Sequence, residues 1–270
     1  MVYCLQKDKL CRWLMTNKDI LTIALKQSAI DFGCKPEDFL SAENKVFISK
    51  SNPAARKYLP LPFRCDMVTY GNNIVAQTSK ELFSVAEKYI NSYPREHCFE
   101  TPHLQKLDEM LAHYNHKVCF MAEYFLPDVN CLQPLDCNYE IKFMEKGQFD
   151  HLYLPQWSNV ISTARPHLDM LVAAAFDGDK IIGMAGASAD CETMWQIGID
   201  VLPSHRRQGV ASALTSRLAL EIISRGKVPF YCAAWCNIKS VRNAIRSGFR
   251  PRWTEITARD VEFVDKLNEL

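Results

Sequence analysis

The sequence has 270 residues, of which 48% are hydrophobic and 23% charged, and its 32 basic and 31 acidic residues leave a formal net charge of +1. This composition is typical of a globular protein with one large or two modest domains. The balanced charge, without a polybasic block, gives no support to binding of nucleic acid or of a membrane surface. No stretch approaches the roughly 20 apolar residues that span a bilayer.

The cysteines and the first residues indicate the compartment. Eleven cysteines are scattered along the chain, and this odd number argues against a secreted disulfide framework and for reduced thiols. Residues 1–8 lack the apolar core and the cleavage site of a signal peptide. We therefore expect a cytoplasmic protein.

The first half of the chain reads as alternating helices and strands. Gly71-Asn72-Asn73 predicts a hairpin turn between strands at 65–70 and 74–77. The other predicted elements are helices at 18–32, 79–90 and 101–114, a helical turn at Pro36–Leu40, and strands at 45–50 and 118–125. We interpret residues 1–130 as an α+β domain, followed by a linker at residues 131–138 in a stretch rich in Pro, Asp and Asn.

His113, His116 and Cys119 raise the question of a metal site. The predicted helix ends between the histidines and the cysteine, so the three side chains do not share a face. We interpret them as surface histidines and a core cysteine, and no metal is predicted.

The second half, residues 139–270, has the predicted order β-α-β-β-β-α-β-α-β. Asp177-Gly178-Asp179 predicts a tight hairpin turn between strands at 171–176 and 180–188. A strand at 193–201 then leads through a basic turn into a helix at 210–225. The remaining predictions are a strand at 139–144, a short helix at 146–154, an irregular segment at 155–165, a strand at 229–236, a helix at 240–247 and a strand at 252–257.

The strand, turn and helix within residues 197–214 predict an anion site. The first N–H groups of a helix have no partner in the helix, and the helix dipole adds positive charge there, so the arrangement can hold phosphate. Gly209 would let the backbone approach a ligand without a Cβ atom in the way. The alternative is an ordinary helix N-terminus with solvated arginines.

Two motifs resemble one family. The run Arg206-Arg207-Gln208-Gly209-Val210-Ala211 resembles the Arg/Gln-x-x-Gly-x-Gly/Ala turn of the GCN5-related N-acetyltransferases (the GNAT family). Residues 237–249, with Asn, then Ser three residues on, then Gly-Phe, resemble that family's second signature. The resemblance covers residues 139–258 and is greatest to bacterial members that act on small molecules. It implies an α/β (α+β) fold in which helices flank a mixed, splayed β-sheet. Residues 1–130 carry no such motif, and a degenerate copy of the same fold is one interpretation of them.

The resemblance implies acetyl-CoA as co-substrate. The turn amides would bind its pyrophosphate, and the pantetheine arm would lie between the strands at 193–201 and 229–236, pairing with the first. Asn237 would bond the arm, while Ser240 would either cap the next helix or contact the cofactor. The expected cofactor-binding residues are Ile199, Asp200, Val201, Arg206, Arg207, Gln208, Gly209, Val210, Ala211, Ser212, Asn237 and Ser240.

The catalytic groups depart from the family pattern. Ala244 stands where the family usually has a tyrosine acid, and the strand position of the glutamate base falls near Trp195 or Gln196. No general acid is assigned, and His205 is expected to serve phosphate or solvent. The candidates for the general base are Glu192, which we favour, and the weaker Asp190 and Asp200.

We therefore predict an acetyl-CoA-dependent N-acetyltransferase in which the primary amine of a small or amino-acid-like molecule attacks the thioester directly. Trp157, in the segment that roofs the acceptor site of this fold, is the favoured tryptophan for substrate contact, with a core role as the alternative. Residues 1–130 would shape the acceptor site. The rival hypothesis is a non-catalytic acyl-CoA-binding sensor; a protein-tail acetyltransferase would need an acidic cluster that the sequence lacks. The acceptor, the acyl length and the oligomeric state, a homodimer included, stay open.

Overall fold

The computed structural model describes residues 15–269, so the predicted absence of a signal peptide at residues 1–8 lies outside the described residues. The chain folds as two compact units. Of the described residues, unit 1 comprises 15–24, 125–232 and 237–250, and unit 2 comprises 25–124, 233–236 and 251–269. The units interleave along the chain, whereas the predicted domains are consecutive segments.

The described residues form six α-helices and ten β-strands. The helices are α1 (Asn17–Phe32), α2 (Phe83–Ser92), α3 (Thr101–Ala112), α4 (Val210–Ser224), α5 (Ile238–Arg246) and α6 (Val261–Asn268). The strands are β1 (Lys45–Ile48), β2 (Cys65–Thr69), β3 (Val75–Thr78), β4 (His116–Pro127), β5 (Glu140–Glu145), β6 (Asp169–Asp177), β7 (Lys180–Ser188), β8 (Met194–Val201), β9 (Val228–Ala233) and β10 (Phe249–Asp260).

Most predicted elements are confirmed, and three differ from the structure. The predicted helix at 146–154 is wrong: the chain forms a turn and a 3-10 helix at Asp150–Leu152. Gly147 has a φ of +89°, a left-handed conformation that a continuing helix cannot contain. Helix α6 was not predicted, and β10 extends beyond the predicted 252–257 at both ends.

Unit 1 is built on the strand order β9-β8-β7-β6-β5. Strands β8 and β9 are parallel, and the other neighbours are antiparallel. Helix α4 packs across β6, β7 and β8. A Cβ atom on Gly183 would lie 3.0 Å from Cγ1 of Val210, so this glycine lets α4 approach the sheet. The opposite face carries an apolar cluster of Phe149, Leu152, Trp157, Val160, Ile161, Val172, Ala174 and Met184.

Unit 2 contains the strand order β1-β3-β2-β10-β4. Strand β1 is parallel to β3, and β2 is antiparallel to both β3 and β10. Helix α2 packs on β1 and β3. Both units therefore contain a mixed sheet with packed helices, and the predicted mixed α/β class is confirmed.

A buried ion pair lies inside unit 2. Asp31 and Arg56 approach within 3.2 Å, and their side chains are 0% and 2% exposed. The guanidinium also lies over the ring of Trp253, 5.2 Å from its centroid. Trp253 in turn stacks on Tyr70 and Tyr124. Each charged group here is thus matched by a partner from the same unit.

Two further carboxyl groups are buried in unit 2, Asp66 on β2 and Glu255 on β10. Glu255 pairs with Val68, so the two acids are diagonal neighbours on one face of the sheet. Burial raises the pKa of Glu255 to about 7, against the lowering effect of Arg56. Burial and the nearby Glu255 also raise the pKa of Asp66. Burial in this unit therefore favours the protonated forms of Asp66 and Glu255.

Between residues 15 and 269, no helix combines the length and the hydrophobicity that crossing a membrane requires. The same residues hold no group of three or more His, Cys, Asp or Glu side chains placed to bind a metal ion. His116 instead bonds the carbonyl oxygen of Tyr114 and lies 3.2 Å from Asp260.

Candidate functional site

The turn between β8 and α4 has an unusual backbone. A 3-10 helix at Pro203–His205 precedes it, and Gly209 is the N-cap of α4 with a φ of +82°. Arg207 also has a positive φ, +63°, which is uncommon for a residue with a side chain. A Cβ atom on Gly209 would meet only the carbonyl oxygen of Asp136, at 3.8 Å, so the space beside this glycine is open.

The amides of this turn are available to a ligand. Within residues 15–269, the backbone hydrogen bonds of loops and caps include none donated by the N–H groups of residues 207–212. The turn is held instead by side chains: the Arg206 Nε atom donates to the carbonyl of Val201 at 2.9 Å, and the Tyr139 hydroxyl donates to Oε1 of Gln208 at 2.7 Å. A row of unpaired amides at a helix N-terminus suits an anion.

The side chains around the turn differ in their availability. Arg206, Arg207 and Gln208 are exposed, whereas His205 bonds Ser204 at 2.8 Å and lies 3.3 Å from Asp177. Ser212 is buried, and its hydroxyl donates to the carbonyl of Gly209 at 3.2 Å. Of the predicted phosphate ligands, the two arginines are exposed and the Ser212 hydroxyl is not. Val210, the first residue of α4, is buried, and Ala211 is half-buried.

Strands β8 and β9 part beside this turn. Their parallel register runs from Met194 opposite Val228 to Gln196 opposite Phe230, and among the described residues it ends there. On its other side β8 continues to pair with β7 as far as Val201. Residues 198–201, which include Ile199 and Asp200, are accordingly half-exposed. The predicted splay is present, and it leaves one edge of β8 open next to the turn.

Asn237 and Ser240 follow β9 on the other side of the gap. The Asn237 Oδ1 atom accepts the N–H of Ser240 at 3.2 Å, so Asn237 caps α5, and of the two alternatives for Ser240 the capping role is wrong. The Ser240 hydroxyl instead bonds the hydroxyl of Tyr231 at 2.8 Å. Burial raises the pKa of Tyr231, although its bonds to Ser240 and Asn243 act in the opposite direction.

Tyr231 is a residue of the candidate site that was not predicted from the sequence. It lies on β9 at the gap, and Ala244, at the family's tyrosine position, is fully buried. A tyrosine within an apolar strand needs a hydrogen-bond partner for its hydroxyl. The position of Tyr231 in an apolar strand thus indicated that its hydroxyl has a hydrogen-bond partner, but the sequence does not show which residue that partner is.

The structure does not bring the candidate bases together. Glu192 is exposed in the turn before β8, eight residues from Asp200, which corresponds to roughly 25 Å of extended strand. Asp190 is buried, and its Oδ1 atom accepts from Arg165 at 2.8 Å. Both carboxylate oxygens of Asp200 accept from Asn159. Glu192 is the most exposed of the three, since Asp190 is buried and Asp200 half-exposed, and it lies at the end of β8 away from the turn.

The tryptophans occupy different environments. Trp157 is 2% exposed and belongs to the apolar cluster on the sheet of unit 1, so its position favours the core role over substrate contact. Trp195 is also buried, whereas Trp235 is 50% exposed. Substrate contact by Trp157 would need the segment around it to move.

The comparisons with known proteins agree with the motifs. A family model described as GNAT acetyltransferase matches residues 67–253. This is more than half of the chain, and it begins well before residue 139, where the motif resemblance starts. No curated protein matches the chain in sequence.

Several solved structures are similar at low identity. A GCN5-related N-acetyltransferase-like protein from Streptococcus suis is 18% identical, with a TM-score of 0.43 over 58% of this chain and 69% of that one. A GCN5-related N-acetyltransferase from Kribbella flavida is 14% identical, with a TM-score of 0.45 over 56% of this chain and 62% of that one. A conserved protein of unknown function from Staphylococcus epidermidis is 13% identical, with a TM-score of 0.44 over 71% of this chain and 86% of that one. The chain thus spans about two thirds of the length of the first two.

Proposed function

Because the chain belongs to the GNAT acetyltransferase family, we propose that it transfers the acetyl group of acetyl-CoA to the primary amine of a small or amino-acid-like molecule. The observation that carries the proposal is the combination of the open turn at Gly209 with the parting of β8 and β9 beside it. One feature offers amides to a pyrophosphate, and the other offers a strand edge to an amide-containing chain.

The cofactor would bind mainly through backbone groups. The N–H groups of residues 207–212 would donate to the pyrophosphate oxygens, with Arg206 and Arg207 supplying positive charge. The pantetheine arm carries its own amide groups and would pair with the open edge of β8 near Ile199 and Val201, in the way that a peptide adds a strand to a sheet. A site built from backbone atoms tolerates many side-chain changes around it.

The transfer needs an oriented amine more than it needs covalent help. The amine nitrogen would form a bond to the thioester carbon, the carbon–sulfur bond would break, and the thiolate would leave while the ammonium gives up a proton. Glu192 stays our candidate for accepting that proton, although it lies far along β8 from the turn. Because a thiol is fairly acidic, the thiolate needs no assigned acid to leave.

A non-catalytic acyl-CoA sensor is the second candidate. Two observations favour it: Ala244 replaces the family's tyrosine, and both oxygens of Asp200 are engaged with Asn159. The two functions share a cofactor site and differ only in turnover.

A thiol-release assay with acetyl-CoA and a panel of small primary amines separates the two. Amine-dependent release of coenzyme A thiol is expected from the transferase. Acetyl-CoA binding in calorimetry without release for any amine would favour the sensor, and absence of binding would overturn both.

A further inference from the structure

Two glycines face each other at the centre of the β7–β8 pair. Gly186 and Gly198 are register partners. A Cβ atom on Gly198 would lie 1.7 Å from the carbonyl oxygen of Asn159, and one on Gly186 would lie 2.4 Å from that of Val160. Such distances are far inside van der Waals contact. The glycine pair therefore lets the backbone of residues 159–160 lie directly on the sheet.

Asp200 fixes the same point of that segment. Its Oδ2 atom accepts the backbone N–H of Asn159 at 3.0 Å, and its Oδ1 atom accepts from Nδ2 of Asn159 at 2.8 Å. A carboxylate that accepts two bonds from one residue sets its orientation as well as its distance. Asp200 is two residues beyond Gly198, so the clamp and the glycine pair act on one face of β8.

The rest of the segment is anchored away from β8. Asp169 accepts the N–H of Ser162 at 2.8 Å and the hydroxyl of Tyr153 at 3.1 Å. Arg165 pairs with the buried Asp190 at 2.8 Å. Asn159 is therefore the point at which residues 155–165 are tied to the open part of β8.

We propose that Asp200 is a positioning residue for acetyl transfer, which holds Asn159 and thereby fixes residues 155–165 as a wall beside the open part of β8. This inference rests on the proposed function, which places the pantetheine arm along Ile199 and Val201. Those two residues pair with Ala185 and Gly183, on the face that α4 covers, so the Asp200 side chain points to the opposite face. The wall then borders the acetyl end of the arm on that face, where the acceptor amine must be oriented.

The chemistry of the pair gives a test that separates positioning from proton transfer. In Asp200→Asn, the new amide oxygen can still accept the backbone N–H, and Asn159 can turn its own amide to offer an oxygen. In Asn159→Asp, two carboxylates face each other and the clamp opens. The double variant Asp200→Asn with Asn159→Asp exchanges the two groups and restores a complementary pair, while position 200 no longer carries a base.

The measurements are thiol release with acetyl-CoA and the best amine of the panel, and hydrogen exchange of residues 155–165. Positioning predicts a small loss of kcat, about threefold, for Asp200→Asn, because the two bonds to a charged carboxylate are replaced by neutral ones. It predicts at least a roughly tenfold loss of kcat and faster exchange for Asn159→Asp, because two carboxylates would then face each other and repel. The double variant is expected to recover both kcat and protection to within a few fold of the Asp200→Asn values.

Other patterns would overturn the inference. A loss of about a hundredfold or more in both Asp200→Asn and the double variant would make Asp200 a general base. Equal kcat and equal exchange in all variants would make the clamp irrelevant. Wild-type protein that binds acetyl-CoA but releases no thiol would contradict the proposed function instead. Hydrogen exchange then tests the clamp by itself: recovered protection of residues 155–165 in the double variant supports it, and protection that does not recover contradicts it.

Discussion

The turn at Gly209 in unit 1 and the buried ion pair in unit 2 place arginines in opposite settings. Arg206 and Arg207 are exposed beside backbone amides that no described carbonyl accepts. Arg56 is enclosed with Asp31 and covered by an aromatic ring. An exposed cation next to unpaired donors is available to a ligand, whereas a buried cation matched by its own carboxylate holds the fold together. Ligand affinity and stability should therefore depend on different arginines.

The largest effect on stability is expected from Arg56→Met. It leaves the carboxylate of Asp31 buried without its cation, and breaking such a pair typically costs about 3–5 kcal/mol in the free energy of unfolding. Urea unfolding measures it.

Arg207→Met is the matched variant for that measurement. It should change the free energy of unfolding by no more than about 0.5 kcal/mol, because the side chain is exposed. It should instead weaken acetyl-CoA binding about tenfold, through loss of one charged contact to phosphate. An equal fall in the free energy of unfolding for the two substitutions would contradict the distinction between the exposed arginine and the buried one.

Gly198→Ala should cause the next largest loss in the free energy of unfolding. Its new methyl group would collide with the carbonyl of Asn159, where the backbone cannot yield as a side chain can. We expect a loss of about 1–3 kcal/mol in the free energy of unfolding, as for an overpacked core. Gly183→Ala is the control, because its neighbours are side-chain methyl groups at 3.0 Å and 3.2 Å that can shift. A larger loss in the control would contradict the close approach of residues 159–160.

The buried acids of unit 2 predict a dependence of stability on pH. The folded-state pKa of Glu255 is raised to about 7 from the ordinary 4.5, so the folded protein holds a proton that the unfolded chain releases. This contribution is complete below pH 4.5 and is lost as the pH rises through 7. The free energy of unfolding should fall by up to about 1.4 kcal/mol per pH unit over that window.

Urea unfolding at several pH values measures this slope, and Glu255→Gln, which is neutral at every pH, should make it shallower and leave the part that comes from Asp66. An unchanged slope in that variant would show that Glu255 is not its source. The same substitution should leave the acetyl-CoA affinity as it is, since the turn of unit 1 contains no part of this cluster.

The smallest loss of stability among the destabilising variants is expected at Asn237. Asn237→Ala removes the cap of α5 and should cost about 1 kcal/mol in the free energy of unfolding. Asn237→Asp keeps a capping oxygen but loses the amide donor expected to bond the pantetheine arm. Weaker acetyl-CoA binding in calorimetry with unchanged stability in the aspartate variant would support that bond; unchanged binding would leave Asn237 as a cap alone.

Local patterns predicted the elements that local chemistry determines. Asp177-Gly178-Asp179 predicted the β6–β7 hairpin, and Gly209 before an apolar stripe predicted the start of α4. The helix predicted at 146–154 failed because nothing in an apolar pattern indicates that Gly147 turns left-handed.

Contacts between residues that are far apart in the chain could not be predicted from the sequence. The Asp200–Asn159 clamp joins residues 41 positions apart, and the hydroxyl bond of Tyr231 to Ser240 depends on how α5 follows β9. Trp157 was the favoured substrate contact because its segment is irregular, but an irregular segment can still pack its large side chain inward. Backbone geometry near a motif was predictable, and the assignment of side-chain partners was not.

The central claim, that the open turn at Gly209 holds acetyl-CoA, is tested most directly by calorimetry on two tryptophan variants. Gly209→Trp and Gly226→Trp introduce the same side chain at glycines with similar positive φ, +82° and +73°, at the two ends of α4. We predict that Gly209→Trp weakens acetyl-CoA binding at least about a hundredfold, as loss of two hydrogen bonds to a charged group would, while Gly226→Trp binds like the wild type. Wild-type affinity in Gly209→Trp, or an equal loss in both variants, would contradict the account.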